Sequence, residues 1–178
     1  MRKIHVVLLG VVIIWAMTGI LAYQKRTSLK LVTAHKESSG TIISGAFDPT
    51  RAKSEEEWKK ILTPSQYSIL REEGTETPFT GELLHNDQKG TYYSVGCDQP
   101  VFRSEQKYES HTGWPSFWAP IKDDAVVLLE DMSLGYSRIE VLDPCGGHLG
   151  HVFDDGPDPT GKRYCMNSVA LYFVPDTQ

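Results

Sequence analysis

The first thirty residues contain no aspartate or glutamate, so Arg2, Lys3, Lys25, Arg26 and Lys30 stand unopposed there. The rest of the chain lacks a basic excess, since it keeps 13 of the 18 Lys and Arg against all 23 Asp and Glu. An acidic body repels phosphate backbones, and no basic stripe interleaved with aromatics offsets it, which argues against nucleic acid as a partner. Repeats and low-complexity tracts are also missing, which excludes solenoids and a largely disordered chain. With 178 residues, 40% hydrophobic, the chain has room for one domain with a real core and a short appendage.

Only one long uncharged run is present, VVLLGVVIIWAMTGILAY at 6–23, preceded by Arg2 and Lys3. It falls between the 7–15 residues of a signal-peptide core and the roughly 20 of a spanning helix. The best cleavage point, after Ala22, has Ile20 where a small residue is wanted, so residues 1–23 are expected to be an N-terminal membrane anchor or signal segment, more readily an uncleaved anchor. An N-in, C-out orientation puts the remainder of the chain on the periplasmic or extracytoplasmic side. Residues 24–53, polar and without hydrophobic period, read as a flexible linker, and the domain is expected over 54–178.

Two helix starts open that domain. Ser54 with Glu57 and Thr63 with Gln66 are capping-box pairs, the second with Pro64 at the first helical position, and Gly74 is a natural stop. Beyond Gly74 the pattern changes to short apolar or alternating runs: TYYSV, PVF, AVVLLE, GYSRIEV, HLGHVF and YCMNSVALYFV. These predict strands without helical crossovers, hence a mainly β fold of two antiparallel sheets with short N-terminal helices packed at the side.

Three motifs offer chemistry. In RYCMNS, strand alternation puts Arg163, Cys165 and Asn167 on one side, where a guanidinium next to a thiol favours the reactive thiolate; a buried structural cysteine is the commoner fate of a free thiol. In HLGHVFDDGP, His148 and His151 would face opposite ways in a regular strand, but Gly150 permits a bulge that brings both rings to one site. Two histidines alone are too few for a metal, and packing is the plainer role for at least one. In HTGWPSFW, Trp114, Phe117 and Trp118 form an aromatic wall suited to a methyl on sulfur, or simply to a core.

GTETPFTG, GWPSFW, SRIEV, HLGHVFDDGP and RYCMNS stand in the order and spacing of the B-type peptide methionine (R)-sulfoxide reductases, which the chain resembles over roughly residues 54–175. The resemblance implies that Cys165 is the nucleophile that reduces peptidyl methionine-R-sulfoxide through a sulfenic acid, with protein repair under oxidative stress as the outcome. It places Trp114 at the substrate methyl, His148, His151 and Asn167 around the sulfoxide oxygen, and Phe153 and Arg163 in support. Arg138 and Glu140 are expected to form an ion pair or to lie plainly on the surface.

Partners implied are oxidised proteins or peptides and a thioredoxin-like thiol reductant, with no other cofactor. Many family members hold structural zinc with two C-x-x-C pairs, whereas here SVGC and LDPCGGH leave only Cys97 and Cys145, so zinc is expected to be absent. If both keep the ligand positions, they lie close enough for a disulfide; alternatively one resolves the oxidised Cys165. Some relatives carry a resolving cysteine directly before GWPSF, where this chain has Thr112. A non-catalytic module that binds oxidised or Met-rich partners, and a cysteine hydrolase using Cys165 with His151, are the rival classes. The hydrolase lacks an evident oxyanion loop and a third residue to orient the histidine.

Overall fold

Both capping boxes form. The computed structural model describes residues 40–177, and in it Ser54 and Glu57 close one box at the start of α1 (Glu55–Ile61) while Thr63 and Gln66 close the other at the start of α2 (Pro64–Glu72). Helix α2 ends at Glu72 with Glu73 as its cap, in keeping with a stop at Gly74, although the left-handed residue is Glu73 itself (φ 55°). Gly74 is still required, since a Cβ there would stand 2.8 Å from the Ser68 carbonyl oxygen that its own N–H meets.

Ten strands arise from the alternating and apolar runs: β1 (Ile42–Ser44), β2 (Gly90–Ser94), β3 (Pro100–Arg103), β4 (Lys107–Tyr108), β5 (Ser116–Phe117), β6 (Val127–Asp131), β7 (Arg138–Leu142), β8 (His148–Phe153), β9 (Arg163–Met166) and β10 (Leu171–Pro175). They make an antiparallel sheet in the order β1-β6-β7-β8-β9-β5-β4 and a second in the order β10-β2-β3. The mainly β, two-sheet fold with short helices at the side is as expected.

One predicted strand is in fact two. The run YCMNSVALYFV breaks after Met166 into a 3-10 turn at Ser168–Ala170, and its halves, β9 and β10, belong to different sheets. The GWPSFW segment, which is not among the predicted strands, contributes the short strand β5. Alternation then sorts the side chains. Phe117, Tyr164 and Val152 are mutual partners across β5, β9 and β8 and face the core, where Phe117 stacks on Phe102 at 4.4 Å and meets Tyr92 edge-on at 5.0 Å. The helices close this core with Trp58, Ile69 and Leu70.

The linker expectation needs correction where it overlaps the described residues, at 40–53. Ile42–Ser44 pairs with β6, Phe47 packs on Val127, Leu129 and Leu142, the Asp48 N–H donates to Pro144 O at 2.7 Å, and Arg51 Nη1 donates to Cys97 O at 3.0 Å. No hydrophobic period announced this strand because all three of its residues are exposed and only its backbone is engaged. Among the described residues no helix is long and apolar enough to cross a membrane; the run at 6–23 lies outside them.

Candidate active site

A single row of directly opposed residues crosses five strands: Tyr108 (β4), Ser116 (β5), Cys165 (β9), His151 (β8) and Glu140 (β7). Opposed residues of an antiparallel ladder share a face. The whole row therefore projects from the side of the sheet opposite the aromatic core. Cys165 is half-buried and is the free cysteine of the described residues.

The two histidines reach one face as the glycine suggested. Pairing of β7 with β8 slips between Val141↔Gly150 and Leu142↔His148, leaving Leu149 as an extra residue, and the rings end 5.3 Å apart. A side chain at Gly150 is impossible, since its Cβ would lie 2.1 Å from the Cys165 carbonyl oxygen. The slip is clamped by Asn167, whose N–H and Nδ2 both donate to Leu149 O, at 2.8 and 3.2 Å.

Each ring has its own carboxylate. His148 Nδ1 lies 2.6 Å from Glu140 Oε1, both buried, and His148 Nε2 has no hydrogen-bond partner. His151 Nε2 lies 2.8 Å from Asp131 Oδ2. The expected Arg138–Glu140 pair does not form: Arg138 is bonded to Asp131, and Glu140 belongs to His148. Burial opposes the charge on Asp131, but hydrogen bonds from Ser133 and His151 and the Arg138 charge outweigh it and hold the carboxyl well below its ordinary range. Burial pushes His151 below the usual imidazole value, against the pull of Asp131.

Arg163 stands two residues from Cys165 on the same face of β9. Its guanidinium grips Asp155 through two bonds of 2.9 and 2.8 Å and lies 4.3 Å over the Phe153 ring. Hydrogen bonding to Asp155 holds the guanidinium firmly charged, with a smaller contribution from Cys165. Arginine, phenyl ring and His151 thus form one wall, with Phe153 6.5 Å from His151.

Trp114 stands two residues before Ser116, the cross-strand partner of Cys165. Its indole Nε1 donates to Glu76 O at 3.1 Å, while the loop is tied by Met166 N–H to Pro115 O and Phe79 N–H to Gly113 O. Glu76 is the residue that sequence reasoning passed over. Its N–H donates to Asn167 Oδ1 at 3.0 Å, and its carboxylate accepts from Ser168 N–H and Val169 N–H at 2.7 and 3.0 Å. One residue of GTETPFTG therefore holds both Trp114 and Asn167. Asp131 and Tyr108 were missed as well; the phenol oxygen of Tyr108 is buried without a hydrogen-bond partner. A row register is what would have revealed Tyr108, and it needs the strand pairing.

Away from this face, Cys97 and Cys145 are bridged, with their Cα atoms 5.4 Å apart and both residues 3% exposed. Asp143 beside them is fully enclosed; burial pushes its carboxyl up, and it accepts from the Ser94 hydroxyl and from Cys145 and Gly147 N–H. Donor atoms of Cys97, Asp143 and Cys145 lie within 4.8 Å of one another. They do not fit a tetrahedral thiolate site, because the two sulfurs are spent on each other and the remaining donors are a carboxylate and a hydroxyl.

The SelR domain matches residues 62–175. A peptide methionine sulfoxide reductase MsrB of Methanosarcina barkeri is 60% identical over 122 residues, covering 68% of this chain and 86% of the relative. MsrB proteins of Leptospira interrogans and Leifsonia xyli are 57% identical over 122 residues and 53% over 129; the alignments cover 68% and 71% of this chain, and 93% of each relative.

Proposed function

The chain belongs to the B-type peptide methionine sulfoxide reductases, the family of the SelR domain, and we propose that within it Cys165 is the attacking thiolate and the row around it the catalytic face. The activity is that of a peptide-methionine (R)-S-oxide reductase: thiol-dependent reduction of peptidyl methionine-R-sulfoxide to methionine through a cysteine sulfenic acid, which repairs oxidised protein.

The observation that carries the assignment of Cys165 is its pairing opposite His151, with Arg163 on the same strand face. A sulfoxide sulfur is a poor electrophile until its oxygen is protonated, and a thiol is a poor nucleophile until it ionises. The sulfur of Cys165 attacks the substrate sulfur; with His151 as proton donor the oxygen transfers to Cys165, methionine leaves, and the residue becomes Cys–SOH. Two equivalents of an external thiol then return it to Cys–SH with release of water and a disulfide. Because Nε2 of His151 is held by Asp131, the nitrogen that meets substrate is Nδ1. His148, with its unpartnered Nε2, is the second polar group for the oxygen, Asn167 holds the bulge that aims both rings, and Trp114 takes the methyl. Phe153 and Arg163 line the opposite wall.

The reductant we assign is a small external dithiol protein of thioredoxin type, since Cys97 and Cys145 are bridged and buried and Thr112 cannot form a disulfide. We further assign the bridge the place that zinc holds in many relatives. A stapling disulfide suits an oxidising compartment, which supports an extracytoplasmic domain tethered through residues 6–23. Turnover of a methionine-R-sulfoxide peptide with dithiothreitol, present in the wild type and lost in Cys165→Ser, is the test. Turnover surviving in Cys165→Ser would remove the assignment, and a reporter fused to the C-terminus and active only in the cytoplasm would remove the location.

A further inference from the structure

Thr112 Oγ1 lies 3.7 Å from Cys165 Sγ and is the near end of a file of hydroxyls. Ser110 Oγ stands 2.8 Å from Thr112 Oγ1 and 2.7 Å from Ser116 Oγ, and Ser116 Oγ stands 3.1 Å from the carbonyl oxygen of Trp114. Ser116 is also the direct cross-strand partner of Cys165, so both ends of the file are set by one ladder.

Counting hydrogens fixes its direction. A carbonyl can only accept, so the bond to Trp114 uses the single hydroxyl hydrogen of Ser116. Ser110 must then donate to Ser116, Thr112 to Ser110, and the S–H of Cys165 to Thr112. Four hydrogens fill four bonds, and the file is complete for the protonated thiol. A thiolate has no hydrogen to give. For it to gain a partner, the three hydroxyls must turn about their C–O bonds so that Ser116 donates to Ser110, Ser110 to Thr112, and Thr112 to sulfur. Three hydrogens then fill three bonds, and the Trp114 carbonyl loses its donor.

We propose that Ser116, Ser110 and Thr112 form a hydroxyl relay whose polarity reverses with the ionisation of Cys165, and that Thr112 is the catalytic hydroxyl that donates to the thiolate. No covalent O–H bond breaks in this reversal, and the thiol proton itself leaves to solvent or to a base. The site pairs a cost with a gain: one 3.1 Å bond to a carbonyl is exchanged for a charge-assisted bond to the nucleophile. A thiol at position 112 could resolve the sulfenic acid, whereas a hydroxyl there serves the step before it. The proposal rests on Cys165 being the attacking thiol.

The test is alkylation of the full-length chain by iodoacetamide in the absence of substrate, followed from pH 5 to pH 9. With Cys97 and Cys145 bridged, the signal from the described residues is that of Cys165. Thr112→Val should react about five- to tenfold more slowly at neutral pH, its profile displaced to higher pH, as loss of a charge-assisted donor implies. Thr112→Ser should stay within about twofold of the wild type, since the hydroxyl is kept. Ser116→Ala should react faster than the wild type, because nothing then draws the hydrogens toward the carbonyl. Wild-type alkylation in Thr112→Val, or alkylation in Ser116→Ala no faster than in the wild type, overturns the relay. If Thr112→Val does not fold, Thr112→Ala takes its place against Ser116→Ala. Cys165→Ser separates the two levels: sulfoxide turnover persisting there defeats the assignment of the nucleophile, whatever the relay variants do.

Discussion

Asp131 Oδ2 meets His151 Nε2 at 2.8 Å, and this contact leaves Nδ1 as the ring nitrogen that the carboxylate does not engage. Arg138 and the Ser133 N–H hold the carboxylate in turn, so the ring is oriented by residues at the closing turn of the β6–β7 hairpin. The cross-strand row places Cys165 beside the same ring. A thiol and an imidazole are thus fixed on neighbouring strands, and the orientation of the imidazole is set from a carboxylate two strands away.

Replacing Asp131 by Asn should lower kcat/KM, by no more than the roughly 100- to 10,000-fold that a positioned general acid supplies in full. The pH dependence carries more information than the magnitude. Burial already depresses His151, and Asp131 is the group that pulls the other way. Removing its charge should move the limb on which activity falls with rising pH to lower pH. Steady-state turnover of a sulfoxide peptide at fixed dithiothreitol, measured from pH 5 to 9, provides the check. Superimposable profiles for the two proteins would mean that His151 is not the acid.

Acid stability depends on the same pair of groups. Asp131 titrates below its ordinary value of 3.8 when folded, so its contribution is present above that value and disappears as pH falls through the folded value. His151, depressed below 6.5 by burial, favours the folded state fully above 6.5 and loses that advantage as the unfolded chain takes up its proton. The urea midpoint of the wild type should exceed that of Asp131→Asn at neutral pH. The gap should close as the solution is acidified below about 3.8. A gap that widens on acidification would contradict the sign.

Glu76 links binding to stability. Its carboxylate accepts from two backbone N–H groups at the start of the 3-10 turn, while its own backbone holds Trp114 and Asn167. Glu76→Ala should cost about 1–3 kcal/mol, the scale for donors left unpaired in a partly buried place. It should also raise KM, because the indole and the bulge clamp share the displaced segment. Glu76→Gln keeps one acceptor oxygen and should fall between. Denaturant melts combined with KM for a sulfoxide peptide read both effects, and an unchanged KM in a folded Glu76→Ala would confine Glu76 to stability.

The legible parts of the molecule were those written in local pattern. Ser54 and Thr63 announce their helices, and Gly150 between two histidines announces the bulge that unites them. Cys165 and Arg163 come from alternation along one strand. Illegible were contacts made through register and backbone. Ile42–Ser44 has no buried side chain to betray it, and Tyr108 joins the row only once β4, β5 and β9 are aligned. Arg138 and Glu140, two apart on one strand, looked like mutual partners. Their true partners, Asp131 and His148, lie on the neighbouring strands β6 and β8.

The bridge between Cys97 and Cys145 ties the β2–β3 turn to the β7–β8 turn, and the segment at 48–51 crosses both ends of it through Asp48 and Arg51. The cysteines are 48 residues apart, a span for which loss of chain entropy in the unfolded state gives about 4 kcal/mol as a ceiling and about 2–4 kcal/mol as the usual yield. The double variant Cys97→Ser with Cys145→Ser should therefore be less stable by about 2–4 kcal/mol, read from a lowered denaturant midpoint. Its turnover with excess dithiothreitol, at a temperature where it remains folded, should stay close to that of the wild type, because the catalytic row draws no atom from the bridge. If instead one of these cysteines is the resolving thiol, peptide mapping after a single turnover without reductant would show it linked to Cys165. Burial of both cysteines, each 3% exposed, argues against that exchange: the surrounding structure would have to open before either sulfur could meet an external thiol or Cys165.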